Sequence, residues 1–178
     1  PDGSVASGQG FFVKNKNSDF VEFNNSMRIA GRNSIFFKTA NNTLETNKST
    51  FERHRIWLNF ENKEGAFKQI LLGYIQGATN FYDESFDAET FNGNAYVDFF
   101  SLNDAKKLVI QGRALPFTIT DTIPLAYRTT IADDFTISID HADGDLSNHN
   151  IYLEDKITGI VHDLTASNYT FKTATGTF

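Results

Sequence analysis

Apolar and polar residues alternate with period two through most of the last third of the chain. The segments are PLAYRTT (Pro124 to Thr130), DFTISID (Asp134 to Asp140), NIYLEDK (Asn150 to Lys156), GIVHDLT (Gly159 to Thr165) and NYTFKT (Asn168 to Thr173). That period places successive side chains on opposite faces, so each segment predicts a half-buried antiparallel strand. In DFTISID, Phe135, Ile137 and Ile139 take one face, and Thr136, Ser138 and Asp140 the other. Tyr169 and Phe171 are the inner pair of NYTFKT.

The same pattern extends toward the N-terminus. QGFFVK (Gln9 to Lys14), DFVEFN (Asp19 to Asn24), SMRIAG (Ser26 to Gly31) and SIFFK (Ser34 to Lys38) predict short strands divided by Asn, Ser and Gly turns. Thr39 to Thr50 is polar and predicts an exposed loop. ERHRIWLNF and AFKQILLGYI predict two long strands around a turn at Gly65, and YVDFF and KLVIQGR follow. Gly77 to Asn94 lacks the alternation and predicts a loop or short helical turn carrying Asp83, Glu84, Asp87 and Glu89. A shift in character after Arg113, at Ala114-Leu115-Pro116-Phe117, predicts a module boundary. The expected architecture is all-β: an antiparallel β-sandwich with a jelly-roll-like module over residues 1–113, incomplete at its N-terminus. An immunoglobulin-like module over 114–178 follows, lacking its last strand.

Composition supports an aromatic-cored β protein. Eighteen Phe and six Tyr stand against one Met and one Trp. A chain of 178 residues buries roughly 70% of its unfolded surface, enough for a real core. The net charge of −6 argues against nucleic acid, which demands a basic face. With no cysteine, disulfides, thiolate metal sites and thiol nucleophiles are excluded. The longest apolar run, Ile70 to Ile75, is interrupted by Gly73 and falls far short of the ~20 residues that span a bilayer. No membrane insertion is expected. Pro1 in place of Met, and a PDGSVASG start that fits no signal peptide, predict further chain upstream.

Six blocks carry a resemblance: ERHRIWLNF, GAFKQILLGYIQGATN, LVIQGRALPF, IPLAYRT, IYLEDKITGIVHDL and YTFKTATGTF. Together they resemble the region just before the C-terminal sorting domain of large, adhesin-like surface proteins of gliding and related Bacteroidetes, exported by the type IX secretion system. The resemblance implies a non-catalytic stalk or adhesin segment, at the outer-membrane cell surface or secreted from a Gram-negative bacterium. Its partners would be an upstream ectodomain and a downstream sorting domain, with outer-membrane secretion machinery or surface glycans as further contacts. The alternative is a carbohydrate-binding or carbohydrate-processing module.

Several groups of residues offer chemistry. Asp140, Asp143 and Asp145 in DHADGDLSN present three carboxylates and a Gly, which suits either oxygen ligation of Ca2+ or a plain Asp-Gly turn. His141 and His149 flank them without a compact ligand spacing. Alternation in the first long strand puts Arg53, Arg55 and Trp57 on one face and Glu52, His54, Ile56 and Leu58 on the other. Cationic side chains beside Trp57 make a candidate glycan or partner platform, and Tyr82, at the acidic loop, is a further candidate ligand-binding aromatic; the competing reading has the arginines in ion pairs and Trp57 in the core. The acids of 83–89 form either a solvated face or a carboxylate pair for glycoside hydrolysis. His162, between Ile160 and Leu164, is expected to donate to a backbone carbonyl. Asp121-Thr122-Ile123 resembles the O-glycosylation acceptor pattern of the same bacterial group, with Thr122 as acceptor. No GxSxG, phosphate loop or Ser/His/Asp order is present, so no catalytic residue is expected.

Overall fold

The computed structural model describes Val13 and residues 20–28, 52–91 and 93–178. The chain divides into two compact units, Pro1–Ser49 and Thr50–Phe178. In the first unit, a 3-10 helix at Asn25–Met27 replaces the start of the strand expected from Ser26. The Asn24 side chain accepts from the Ser26 N–H at 3.1 Å, and this local capping bond competes with extended pairing. Residues 20–24 likewise form no strand. The strands expected at 9–14 and 34–38, and the loop at 39–50, lie outside the described residues, Val13 alone excepted.

The second unit is all-β, dominated by antiparallel pairing and sandwich-like. Its strands are β1 (Arg53–Asn62), β2 (Phe67–Ile75), β3 (Ala88–Glu89), β4 (Val97–Asn103), β5 (Lys106–Arg113), β6 (Leu125–Thr129), β7 (Asp133–Asp143), β8 (Tyr152–Asp155), β9 (Ile160–Asp163), β10 (Tyr169–Thr173) and β11 (Gly176–Thr177). Nine of them form one sheet in the order β10-β7-β1-β2-β5-β4-β6-β11, with β3 paired to β5, and β8 and β9 form a separate hairpin. All the ladders are antiparallel except β2 with β5.

The expected boundary at Arg113/Ala114 is corrected by this sheet. β1 lies between β2, which precedes that point, and β7, which follows it. The local period marks which residues face inward but not which distant strand supplies the neighbouring ladder. The β1–β2 turn forms as expected: Gly65 has φ +92°, a region open to glycine. The Asn62 side chain accepts from the N–H groups of Glu64 and Ala66 at 3.1 and 2.9 Å.

β10 and β11 occupy opposite ends of the strand order, yet only Ala174 and Thr175 separate them in sequence. So short a link spans at most about 11 Å, which obliges the sheet to curl until its ends approach. Rings meet across the closure: Tyr127 of β6 lies 5.5 Å from Phe171 of β10. The closing GTF turns onto the far end of the sheet: Gly176 and Thr177 pair with β6, and Phe178 exchanges both backbone hydrogen bonds with Tyr127 at 3.0 and 2.9 Å, while among the described residues β10 pairs with β7 alone.

Inside the curl, Phe60 is fully buried and its ring contacts Phe135 at 4.6 Å, Tyr127 at 4.9 Å and Phe99 at 5.4 Å. Ile56, Leu58, Ile70, Leu72, Val97 and Ile137 complete the same core. Burial of that aromatic and aliphatic surface is the main force holding the curled sheet.

Candidate functional site

β1 obeys its alternation: His54, Ile56, Leu58 and Phe60 are buried, while Arg53 is exposed and Arg55 and Trp57 are half-buried on the other face. The antiparallel register sets Arg55 opposite Asp143 and Trp57 opposite His141 on β7. The His141 imidazole stacks on the Trp57 ring at 3.9 Å with 16° between planes. The Arg55 guanidinium lies over the same ring at 4.8 Å. Tyr82 is covered in the same way by the Lys106 ammonium, 4.1 Å from its centroid. Both aromatic candidates for a ligand platform are therefore already stacked with cationic or imidazole groups of their own chain. Arg53 does not join them.

The three carboxylates of the Asp140/Asp143/Asp145 segment go separate ways. Asp143 accepts from Arg55 Nε at 3.2 and 3.0 Å through its two oxygens, from Arg55 Nη2, and from the Arg55 backbone N–H at 3.1 Å. That fork of donors holds the Asp143 carboxyl below the usual aspartate range. Asp140 pairs with His141 Nδ1 at 2.7 Å. Asp145 uses its backbone: its N–H donates to His54 Nδ1 at 2.9 Å, which leaves the His54 Nε2 proton facing Glu52 at 3.2 Å. Among the described residues, no group of three His, Cys, Asp or Glu side chains is placed to hold a metal ion.

Asp143 and Gly144 do not turn β7 back into a hairpin with β8. The chain enters a 3-10 helix at Gly144–Asn148, and β8 pairs with β9 instead. Gly144 has φ +62°, and a Cβ there would fall 2.5 Å from the Arg53 carbonyl oxygen and 2.6 Å from His54 Nδ1. The glycine is thus required by the close approach of β1 as well as by its backbone angle.

The acids of 83–89 do not share one solvated face: Glu84 is exposed, and Asp83 and Glu89 are half-buried. Asp87 is buried; one oxygen accepts from the Gly112 N–H at 2.8 Å and the other from the Asp83 N–H at 2.7 Å. It fastens the loop to β5. Glu89 pairs with Lys106 at 2.7 Å.

Two further clamps escaped sequence reading. Asp121 accepts from Arg113 Nε and Nη2 at 3.0 and 2.9 Å and from the Tyr74 hydroxyl at 2.7 Å. Burial, reinforced by Asp121, raises the Tyr74 hydroxyl well above the usual tyrosine range. Asp98, only 4% exposed, accepts from Thr90 Oγ1 at 2.9 Å and meets Lys68 at 3.4 Å. Each partner comes from a different strand or loop, so spacing along the chain carries no signal of it.

Thr122 is exposed on the irregular stretch between β5 and β6, with its N–H donating to Asp121 Oδ1 at 2.9 Å. His162 donates through Nε2 to the Ser167 carbonyl at 2.8 Å, as expected. His149 donates through Nδ1 to the Asp145 carbonyl at 2.8 Å. Among the described residues, no helix is long and apolar enough to cross a membrane.

No curated protein and no solved structure matches the chain. A family model described as "Domain of unknown function (DUF8693)" matches residues 1–178, and the chain belongs to that family.

Proposed function

We propose that this chain is a non-catalytic β-sandwich module of an exported cell-surface protein, a stalk or adhesin segment between an upstream ectodomain and a downstream sorting domain. The observation that carries the non-catalytic part is the occupation of the carboxylates. Asp87, Asp98, Asp121 and Asp143 each accept from donors of a neighbouring strand or loop. An acid or base committed to such bonds holds segments together and is not poised for proton transfer to a substrate. Export by the type IX route is supported by the six sequence blocks that resemble the region preceding a sorting domain.

The curl also suits a stalk. Strands early and late in the second unit interleave in one sheet, so tension applied along the chain must strip long ladders before the core opens. The test is turnover. The full chain, incubated with glycan, ester and peptide panels, is expected to release no product. Turnover that disappears in Asp87→Asn or Glu89→Gln variants that remain folded would overturn the reading.

A further inference from the structure

A cleft of about 530 Å3 opens beside β3, β4, β5 and β6, lined by Glu89, Asp98, Phe100, Lys106, Lys107 and Arg128 among others. Three cations line it against two carboxylates, and Lys68 reaches Asp98 as a fourth cation. This excess of positive charge sits on a chain whose net charge is −6.

The cations differ in their engagement. Lys106 is paired with Glu89 at 2.7 Å. The Arg128 guanidinium donates to the carbonyls of Asn94 and Ala95 at 3.0 and 3.3 Å. The Lys107 ammonium rests over the Phe100 ring at 4.9 Å and has no carboxylate partner among the described residues. It is the group with charge to offer.

We infer that this cleft binds a single anionic sugar unit, of the uronate or sulfated-sugar class, with its acidic group at Lys107. The volume lies within the 300–1,000 Å3 range of small-molecule sites. A compact free anion is disfavoured, because Glu89 and Asp98 lie on the same wall and repel it. A sugar resolves the conflict by presenting its anion to Lys107 and its hydroxyls to Glu89 and the Thr90 side chain, which also lines the cleft. The inference goes beyond the non-catalytic reading: hydrolysis of the same sugar would overturn that reading while leaving the binding intact.

The experiment titrates the full chain by calorimetry or NMR with methyl glucuronide, galactose 6-sulfate, neutral methyl glucoside and inorganic sulfate. Saturable binding of one or both acidic sugars is expected, weakening as salt rises. Lys107→Glu should weaken it at least about tenfold, the equivalent of about 1.4 kcal/mol, while the protein stays folded with the melting temperature lowered only by loss of the contact with Phe100 and repulsion from the neighbouring acids. Lys106→Gln serves as a second variant and should weaken binding less. Absence of saturable binding, binding of inorganic sulfate or methyl glucoside as tight as that of the acidic sugars, or binding unaffected by Lys107→Glu would each overturn the proposal.

Discussion

The hydroxyls of Tyr127 and Thr173 meet at 2.9 Å, although β6 and β10 lie near opposite ends of the strand order. This bond closes the curl from the inside, where the Tyr127 ring also packs on Phe60 and Phe171. Tyr127→Phe and Thr173→Val should each lower stability by about 1 kcal/mol, the usual net worth of one hydrogen bond. The double variant should cost less than the sum, with a coupling energy of about 0.5 kcal/mol or more. Additive losses in denaturant titrations would show that the two hydroxyls do not hold the closure.

Phe60 is the hub of the aromatic core, with contacts to rings on β4, β6, β7 and β10. Phe60→Ala should cost about 3–5 kcal/mol. Since the ring touches strands on both sides of Arg113, the variant should lower a single melting transition for the whole second unit. A transition that splits in two, with only one part shifted, would contradict the continuous sheet.

The Arg55–Asp143 pair has a defined pH signature. Its lowered carboxyl favours the ionised form in the folded state, so its stabilisation is complete above the ordinary aspartate value of about 3.9 and is lost as pH falls below it. The Asp143 side chain is 37% exposed, so solvent screening limits the pair to about 1 kcal/mol or less. Asp143→Asn should therefore lower the melting temperature at pH 7 and converge with the parent protein toward pH 2. An equal gap at both pH values would assign the loss to something other than this ion pair.

Trp57 is the single tryptophan, and His141 stacks on it. The imidazole covers one face of the indole, so His141→Ala should open that face to water and move the emission maximum to the red. An unchanged emission maximum in that folded variant would show that the imidazole does not shield the ring.

The alternation in β1 was enough to separate Trp57 from Ile56, Leu58 and Phe60, because a strand's two faces follow from its period alone. The same logic reached His162 and the turn at Gly65. It could not reach the pairing of β1 with β7 or the parallel ladder of β2 with β5, since partners far apart in sequence leave no local mark. Nor did it distinguish Asp87 and Asp98 from ordinary surface acids. Their burial depends on the Gly112 N–H and on Lys68 and Thr90, which only the folded sheet brings near. Asp143 illustrates both limits: a turn residue by composition, it ends β7 and is held by Arg55 on the neighbouring strand.

On the function proposed above, this module works outside the cell as a non-catalytic part of a surface protein. Intact cells producing the native protein, treated with a membrane-impermeant lysine label, test it most directly. Peptides carrying the exposed Lys63 and Lys107 should be labelled before lysis, alongside known surface proteins, and should be absent from the cytosolic fraction. Labelling that appears only after the cells are broken, with the protein recovered among cytosolic markers, would contradict the claim.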